Sequence, residues 1–266
     1  HSLSGVWLQA RCHQESAQHT LVDAEITTIA LTAARFFAAT SEPLDDAHRA
    51  ALPDDGLSRS QYNRRLHRVQ PLLEALFDWL GRLHKTASRE NVFLIDSCPI
   101  PACDNIRIRD CRIYPSEAIE DVFGDIKQQT PVFYGLKVHL IVTAEGYPVE
   151  ASLTPGSAGD TKHLRSFEID LSEGAVLYGD EASGEYFIED LLAEACGIEP
   201  AYSEGKTQSE ALRVGSDQQQ VYRKRVETTF SYIERMLPKS IHAVSARGFE
   251  LKVFLFVLAF SISVLD

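Results

Sequence analysis

The sequence predicts an α/β protein, a mixed sheet flanked by helices and preceded by a helical N-terminal unit. Three observations predict it. Apolar residues recur at helical spacing up to about residue 88. From residue 91 the period changes to short apolar runs with one hairpin pattern. Helical patterns then alternate with a further strand, the order expected when helices cover a sheet. The chain of 266 residues is 44% hydrophobic, enough for a sizeable core.

In chain order, "AEITTIALTAARFFAA" (24–39) sets Ile26, Ile29, Ala30, Ala33, Phe36 and Phe37 at helical spacing. "EPLDDAHRALPDDG" is a polar break marked by Pro and Gly. "LSRSQYNRRLHRVQPLLEALFDWLGRLH" resumes the helix, with Ser58 or Ser60 as its cap. A compact helical unit with an Arg-rich helix start is similar to a helix-turn-helix element, although any small bundle shares that pattern. The expected division is 1–88 for this unit and 89–266 for a sheet domain that buries a C-terminal helix. In the second part "NVFLID", "FYGLKVHLIVTAEGYPVEASLTPG" and "GAVLYGD" read as strands, with Ala144-Glu145-Gly146 turning a hairpin. The prolines of "SCPIP" are expected to end the first strand. Helices are expected over 161–170, over "SGEYFIEDLLAEACG" and from about Ser216 to Leu237. The apolar run Val253–Leu265 has 13 residues, too short to span a bilayer, and reads as a buried helix.

The net charge of −12 argues against a surface coated with nucleic-acid contacts, but the charge is uneven. "SRSQYNRRLHR" carries Arg59, Arg64, Arg65 and Arg68 without an acid, and "YRKR" adds Arg223, Lys224 and Arg225. Acids dominate between them. An acidic middle flanked by basic patches suits metal at the centre and phosphates at the edges, while solvated helix faces explain each patch taken alone. Five cysteines without a CxxC pair, and no signal-peptide pattern, point to a reduced, cytoplasmic setting.

Three carboxylates stand out. Asp96 follows the apolar run Val92–Ile95, where an unpaired buried charge would cost several kcal/mol. Asp180 repeats the device after Ala175–Tyr178, and ligands of open α/β sheets gather at such strand ends. Glu227 lies beside the helical stripe Tyr222, Val226, Phe230, Ile233 and Leu237, although an ion pair with Arg223 would also explain it. Phosphodiester cleavage suits such a set, because two divalent ions about 3.5–4 Å apart clamp a scissile phosphate. Hard ions such as Mg²⁺ prefer carboxylate oxygen. Asp160 in "PGSAGD" reads more simply as a helix cap.

"FLIDSCPIPACDNIR", "YGLKVHLIVTAEGYPVEASLTPGSAGDTKHL", "LYGDEASGE" and "RKRVETTFSYIERM" resemble the blocks of a DDE transposase of bacterial insertion sequences, most like the insertion-sequence-982 group. Gln220 and Glu234 depart from it, since related enzymes often carry Tyr and Lys there. The resemblance runs from roughly Ala24 onward and is strongest over 91–235. It implies an RNase H-like catalytic domain with Asp96, Asp180 and Glu227 as the triad, holding two Mg²⁺ or Mn²⁺ ions. It also implies an N-terminal unit that binds terminal inverted repeats, target DNA as second substrate, a homodimer, and a nucleoid-associated protein. An RNase H-like nuclease without strand transfer, or a non-catalytic DNA-binding protein on the same fold, are the alternative readings.

Overall fold

The computed structural model describes residues 3–15, 21–36, 57–103, 110–114, 123–124, 133–157, 169–172, 174–178, 199–201, 213–236, 241 and 243–265. The expected helix over 183–197, that over 161–170 except for Ile169 and Asp170, which are not helical, and positions Asp160 and Asp180 lie outside them. The chain forms two compact units. One is His1–Leu80 with Ile233–Asp266, and the other is Gly81–Tyr232.

The first unit is helical. It contains α1 (Leu3–Ala10), α2 (Asp23–Phe36), most of α3 (Arg59–Ala87) and α5 (Ala246–Ser263). Ser58 and Gln61 cap α3 reciprocally. The Ser58 N–H donates to Gln61 Oε1 at 2.9 Å, and the Gln61 N–H donates to Ser58 Oγ at 3.4 Å. At the start of α2, the Asp23 N–H donates to Glu15 Oε2 at 2.8 Å, which neutralises one of the helix's orphan donors. The Ser245 hydroxyl caps α5 by accepting the Gly248 N–H at 3.2 Å. Phe249, Leu251, Val253 and Leu255 to Phe260 are all buried, as expected of a helix apolar on every side. It packs against α2, and Phe254 meets Phe77 of α3 edge to face at 5.7 Å. The C-terminal helix therefore joins the N-terminal helical unit, whereas the sequence placed it with the sheet. Apolar all round, it carries no stripe that names its neighbour.

The second unit holds a six-stranded mixed sheet: β1 (Val92–Cys103), β2 (Phe123–Gly124), β3 (Phe133–Thr143), β4 (Pro148–Pro155), β5 (Val176–Tyr178) and β6 (Glu199–Ala201). β3 pairs antiparallel with β1, β2 and β4, while β5 runs parallel to both β1 and β6. With helices against it, this is the arrangement expected of an RNase H-like domain. The hairpin turn falls at the expected place, and Gly146 adopts φ 92°, a region open to glycine. β1 does not stop at its prolines but continues through Pro99 and Pro101. β5 pairs only with Val92–Leu94, so beyond them β1 has no described neighbour on that side. Pro99 and Pro101 are two apart, so their missing N–H groups fall on one edge, where a strand tolerates them.

Side chains alternate across this sheet. Phe93, Ile95, Ile141, Val149, Ala175 and Leu177 form one apolar cluster. The end of α3 closes on β4: the His84 Nδ1–H donates to the Pro148 carbonyl at 2.8 Å, and the Lys85 ammonium donates to Glu150 Oε1 at 2.6 Å. A Cβ on Gly81 would run into the Val149 carbonyl oxygen, which explains a glycine inside this helix. On the opposite side of the sheet from Ile95 lie Leu94, Asp96 and Cys98.

Candidate active site

Asp96 sits in the middle of β1, paired with Leu140 of β3, which is fully buried. Its neighbours on the same face, Leu94 and Cys98, are also buried, while Asp96 is half-buried. The following N–H, from Ser97, donates to Asp96 Oδ1 at 2.7 Å. A carboxylate is thus presented from a rigid strand, bordered by apolar side chains. It stands two residues past the last β1–β5 pair, Leu94 with Tyr178.

Glu227 is exposed on α4 (Arg213–Met236), in the same unit as Asp96. The predicted buried stripe holds at Phe230 and Ile233, and Thr229 is buried beside them. α4 meets the β3–β4 turn through Arg225, whose Nη1–H donates to the Ala144 carbonyl at 2.6 Å. Of the three carboxylates expected to form the triad, two are therefore described, on two different elements of one unit. Asp180 lies outside the described residues, as does the Arg223 side chain.

The basic residues separate into distinct environments. Arg59, Arg64, Arg68 and Lys224 are exposed. Arg65 is only 6% exposed, and its guanidinium donates to Asp23 Oδ1 at 2.5 Å and to the Leu21 carbonyl at 3.1 Å. Arg65 therefore fastens the start of α2 and is withdrawn from any phosphate, contrary to its expected role. No acid lies near it in sequence; its partner stands 42 positions away. Burial pushes the Asp23 carboxyl up, but hydrogen bonds from His13 and Arg65, together with the Arg65 charge, outweigh it and hold the pKa below 3.8. His13, Glu15 and Asp23 form a cluster with metal-ligand geometry, but the Arg65 cation and helix-capping amides already occupy its oxygens.

The family of the transposase DDE domain matches residues 86–236, more than half of the chain. The chain belongs to the DDE transposase domain family. Its function is DNA transposition and its chemistry is the cleavage of nucleic acid, in a domain of a kind that generally uses divalent metal ions. The matched segment contains β1 with Asp96 and the whole of α4 with Glu227. Among solved structures, a piggyBac transposase synaptic complex with hairpin DNA aligns with a TM-score of 0.48 at 10% identity, covering 96% of this chain and 70% of that one. No curated protein matches the sequence significantly.

Proposed function

We propose that this DDE transposase is a Mg²⁺-dependent enzyme of the bacterial insertion-sequence type, most like the insertion-sequence-982 group, with Asp96, Asp180 and Glu227 as its metal-binding triad. One observation carries the reading. β1 and β5 pair in parallel with Leu94 opposite Tyr178, an offset of 178 − 94 = 84. The two aspartates are separated by the same offset, 180 − 96 = 84. Carried two residues on, that register would bring Asp180 beside Asp96 and on the same face, since paired residues of neighbouring strands share a face.

The donor set fits divalent magnesium or manganese: three carboxylates, all hard oxygen ligands, and no described cysteine or histidine assigned among them. The half-buried position of Asp96 among Leu94, Cys98 and Leu140 fits as well, since a bound cation offsets the cost of a carboxylate there. Two ions held by these residues would activate the attacking oxygen and stabilise the leaving one. The chain's own residues do the rest. Asp96 and Glu227 hold their oxygens on a strand and a helix, so little reorganisation accompanies loading. Arg64, Arg68 and Lys224 supply exposed charge for phosphates, with Arg59 on the same exposed helix start. Water cuts at the terminal inverted repeats, and the freed 3′-hydroxyl attacks target DNA without a covalent protein intermediate. A homodimer brings two ends together, in the bacterial cytoplasm at the nucleoid.

The test uses a supercoiled plasmid carrying the element's ends and a labelled 3′ end. Asp96→Asn, Asp180→Asn and Glu227→Gln should each abolish Mg²⁺-dependent nicking while DNA binding in metal-free buffer persists. Asp160→Asn should cut almost normally. A dead Asp160→Asn beside an active Asp180→Asn would reassign the second ligand, and nicking without joining of the 3′ end would make the protein a nuclease.

A further inference from the structure

The β3–β4 turn connects three elements that are distant in sequence. The Ala144 N–H donates to the Val92 carbonyl at 3.0 Å, at the start of the strand that carries Asp96. On the other side of the same residue, the Ala144 carbonyl accepts from Arg225 Nη1 at 2.6 Å, two residues before Glu227. One residue of the turn is thus bonded to β1 through its N–H and to α4 through its C=O. The next residue anchors the turn to the segment leading into β1: Glu145 accepts from the Ser88 hydroxyl at 2.9 Å and from the Arg89 N–H at 3.2 Å. Burial raises the Glu145 carboxyl, but these donors outweigh it and keep the pKa below 4.5.

Turn and helix approach each other closely. A Cβ on Gly146 would come within 2.7 Å of Thr229 Oγ1, one turn along α4 from Arg225, and Thr229 is 5% exposed. Within the turn the Gly146 N–H donates to the Thr143 carbonyl at 2.8 Å, so the loop has little freedom to retreat. α4 therefore has two fixed points against the turn, at positions 225 and 229, and Glu227 lies between them.

We infer that Arg225 is a positioning residue, one that sets Glu227 relative to Asp96 through Ala144 and is not a phosphate contact. The inference rests on the proposed triad. Helix position matters because ligands on two separate elements close a metal site only if those elements keep their spacing. A displacement of about 1 Å can cost on the order of 10²-fold in rate. A guanidinium is well shaped for this, because its fixed planar fork directs an N–H at a carbonyl.

The experiment compares full-length Arg225→Ala, Arg225→Lys, Lys224→Ala and Glu227→Gln, each checked for folding by circular dichroism. Two quantities are measured: plasmid affinity in metal-free buffer as a function of salt, and single-turnover nicking across MgCl₂ and MnCl₂ concentrations. Arg225→Ala should keep its affinity and salt slope, raise the half-saturating Mg²⁺ concentration several-fold, and nick about 10²-fold more slowly at fixed Mg²⁺. Arg225→Lys retains one donor and should recover part of the metal affinity. Lys224→Ala should do the reverse, with a salt slope smaller by about 0.9 and its metal midpoint unchanged. A partly unfolded population would lower rate and binding together without moving the metal midpoint, and that result in both Arg225 variants overturns the inference. So does an Arg225→Ala variant whose salt slope falls like that of Lys224→Ala. Full nicking by Arg225→Ala beside a dead Glu227→Gln removes the positioning role alone, whereas full nicking by Glu227→Gln removes the proposed triad as well.

Discussion

Removing Arg65 would leave the Asp23 carboxylate, only 17% exposed, with His13 as its remaining side-chain partner. Breaking a buried pair from one side costs about 3–5 kcal/mol, because the other charge stays behind uncompensated. Arg65→Ala should therefore destabilise the protein by about 3 kcal/mol in urea melts. Arg64→Ala and Arg68→Ala, on the exposed side of the same helix, should stay within about 0.5 kcal/mol of wild type. DNA binding should reverse the order, with a salt slope reduced by about 0.9 for each phosphate that Arg64 or Arg68 no longer neutralises. An Arg65→Ala variant as stable as wild type would contradict the fastening role. His84 gives a second prediction at this scale. It is 2% exposed, its Nδ1–H is taken by Pro148, and its Nε2 has no partner among the described residues. Burial pushes its pKa below 6.5, and the Pro148 hydrogen bond only partly opposes that. The unfolded chain therefore binds the proton more readily. Stability is complete above pH about 6.5 and falls as the pH drops below it, by at most about 1.4 kcal/mol per unit for one site. His67, lowered by burial and by the Arg247 charge, acts in the same direction. His84→Asn should flatten the stability profile between pH 6.5 and 5. Asp23 and Glu145, both lowered, lose their contributions only below their ordinary values of 3.8 and 4.5. An unchanged slope in His84→Asn would remove His84 from the titration.

Helix α3 tests how far local propensity can be trusted. An alanine in place of Gly81 gains about 1 kcal/mol of helix propensity. The new methyl, however, meets the Val149 carbonyl oxygen, part of the β4 backbone, and overpacking of that kind costs about 1–3 kcal/mol. Gly81→Ala should therefore be destabilising despite the better helix former, by up to about 2 kcal/mol in urea melts. A stabilised variant would mean that α3 can move off β4. The same contrast between local and distant causes marks what was legible in the sequence. The hairpin at Ala144–Gly146 follows from turn chemistry, the helix around Glu227 from period, and the burial of Leu255, Leu258 and Phe260 from an unbroken apolar run, all of them local. The continuation of β1 through Pro99 and Pro101 rests on its pairing with β3, Pro99 with Lys137 and Pro101 with Gly135, which no local pattern carries. α1, β2 and β6 are too short to set up a period of their own, the two strands having only two and three residues. Of the candidate site, Asp96 and Glu227 were legible because a carboxylate in an apolar run and one beside a helical stripe are visible as patterns. The roles of Arg65 and Arg225 were not, since their partners Asp23 and Ala144 lie 42 and 81 positions away.

The chain leaves its helical unit at Leu80 and returns to it at Ile233, so the sheet unit is an insertion within the helical one. Deleting residues 246–266 removes Phe254 from Phe77 and uncovers the face of α2 that α5 meets. The expected product aggregates, as measured by the soluble fraction and by light scattering, and a soluble monomer with a wild-type cooperative melt would contradict it. The interrupted layout also sets a timetable during synthesis. The last residue of α2 and the first of α5 are 246 − 36 = 210 positions apart. At about 5–20 residues per second, α2 waits on the order of 10–40 s on the ribosome for its partner. The sheet unit, complete at Tyr232, is made within that interval and before α5. A chain cut short before α5 leaves α2 exposed, and chaperones and proteases would meet it before it could occupy DNA in place of the complete enzyme.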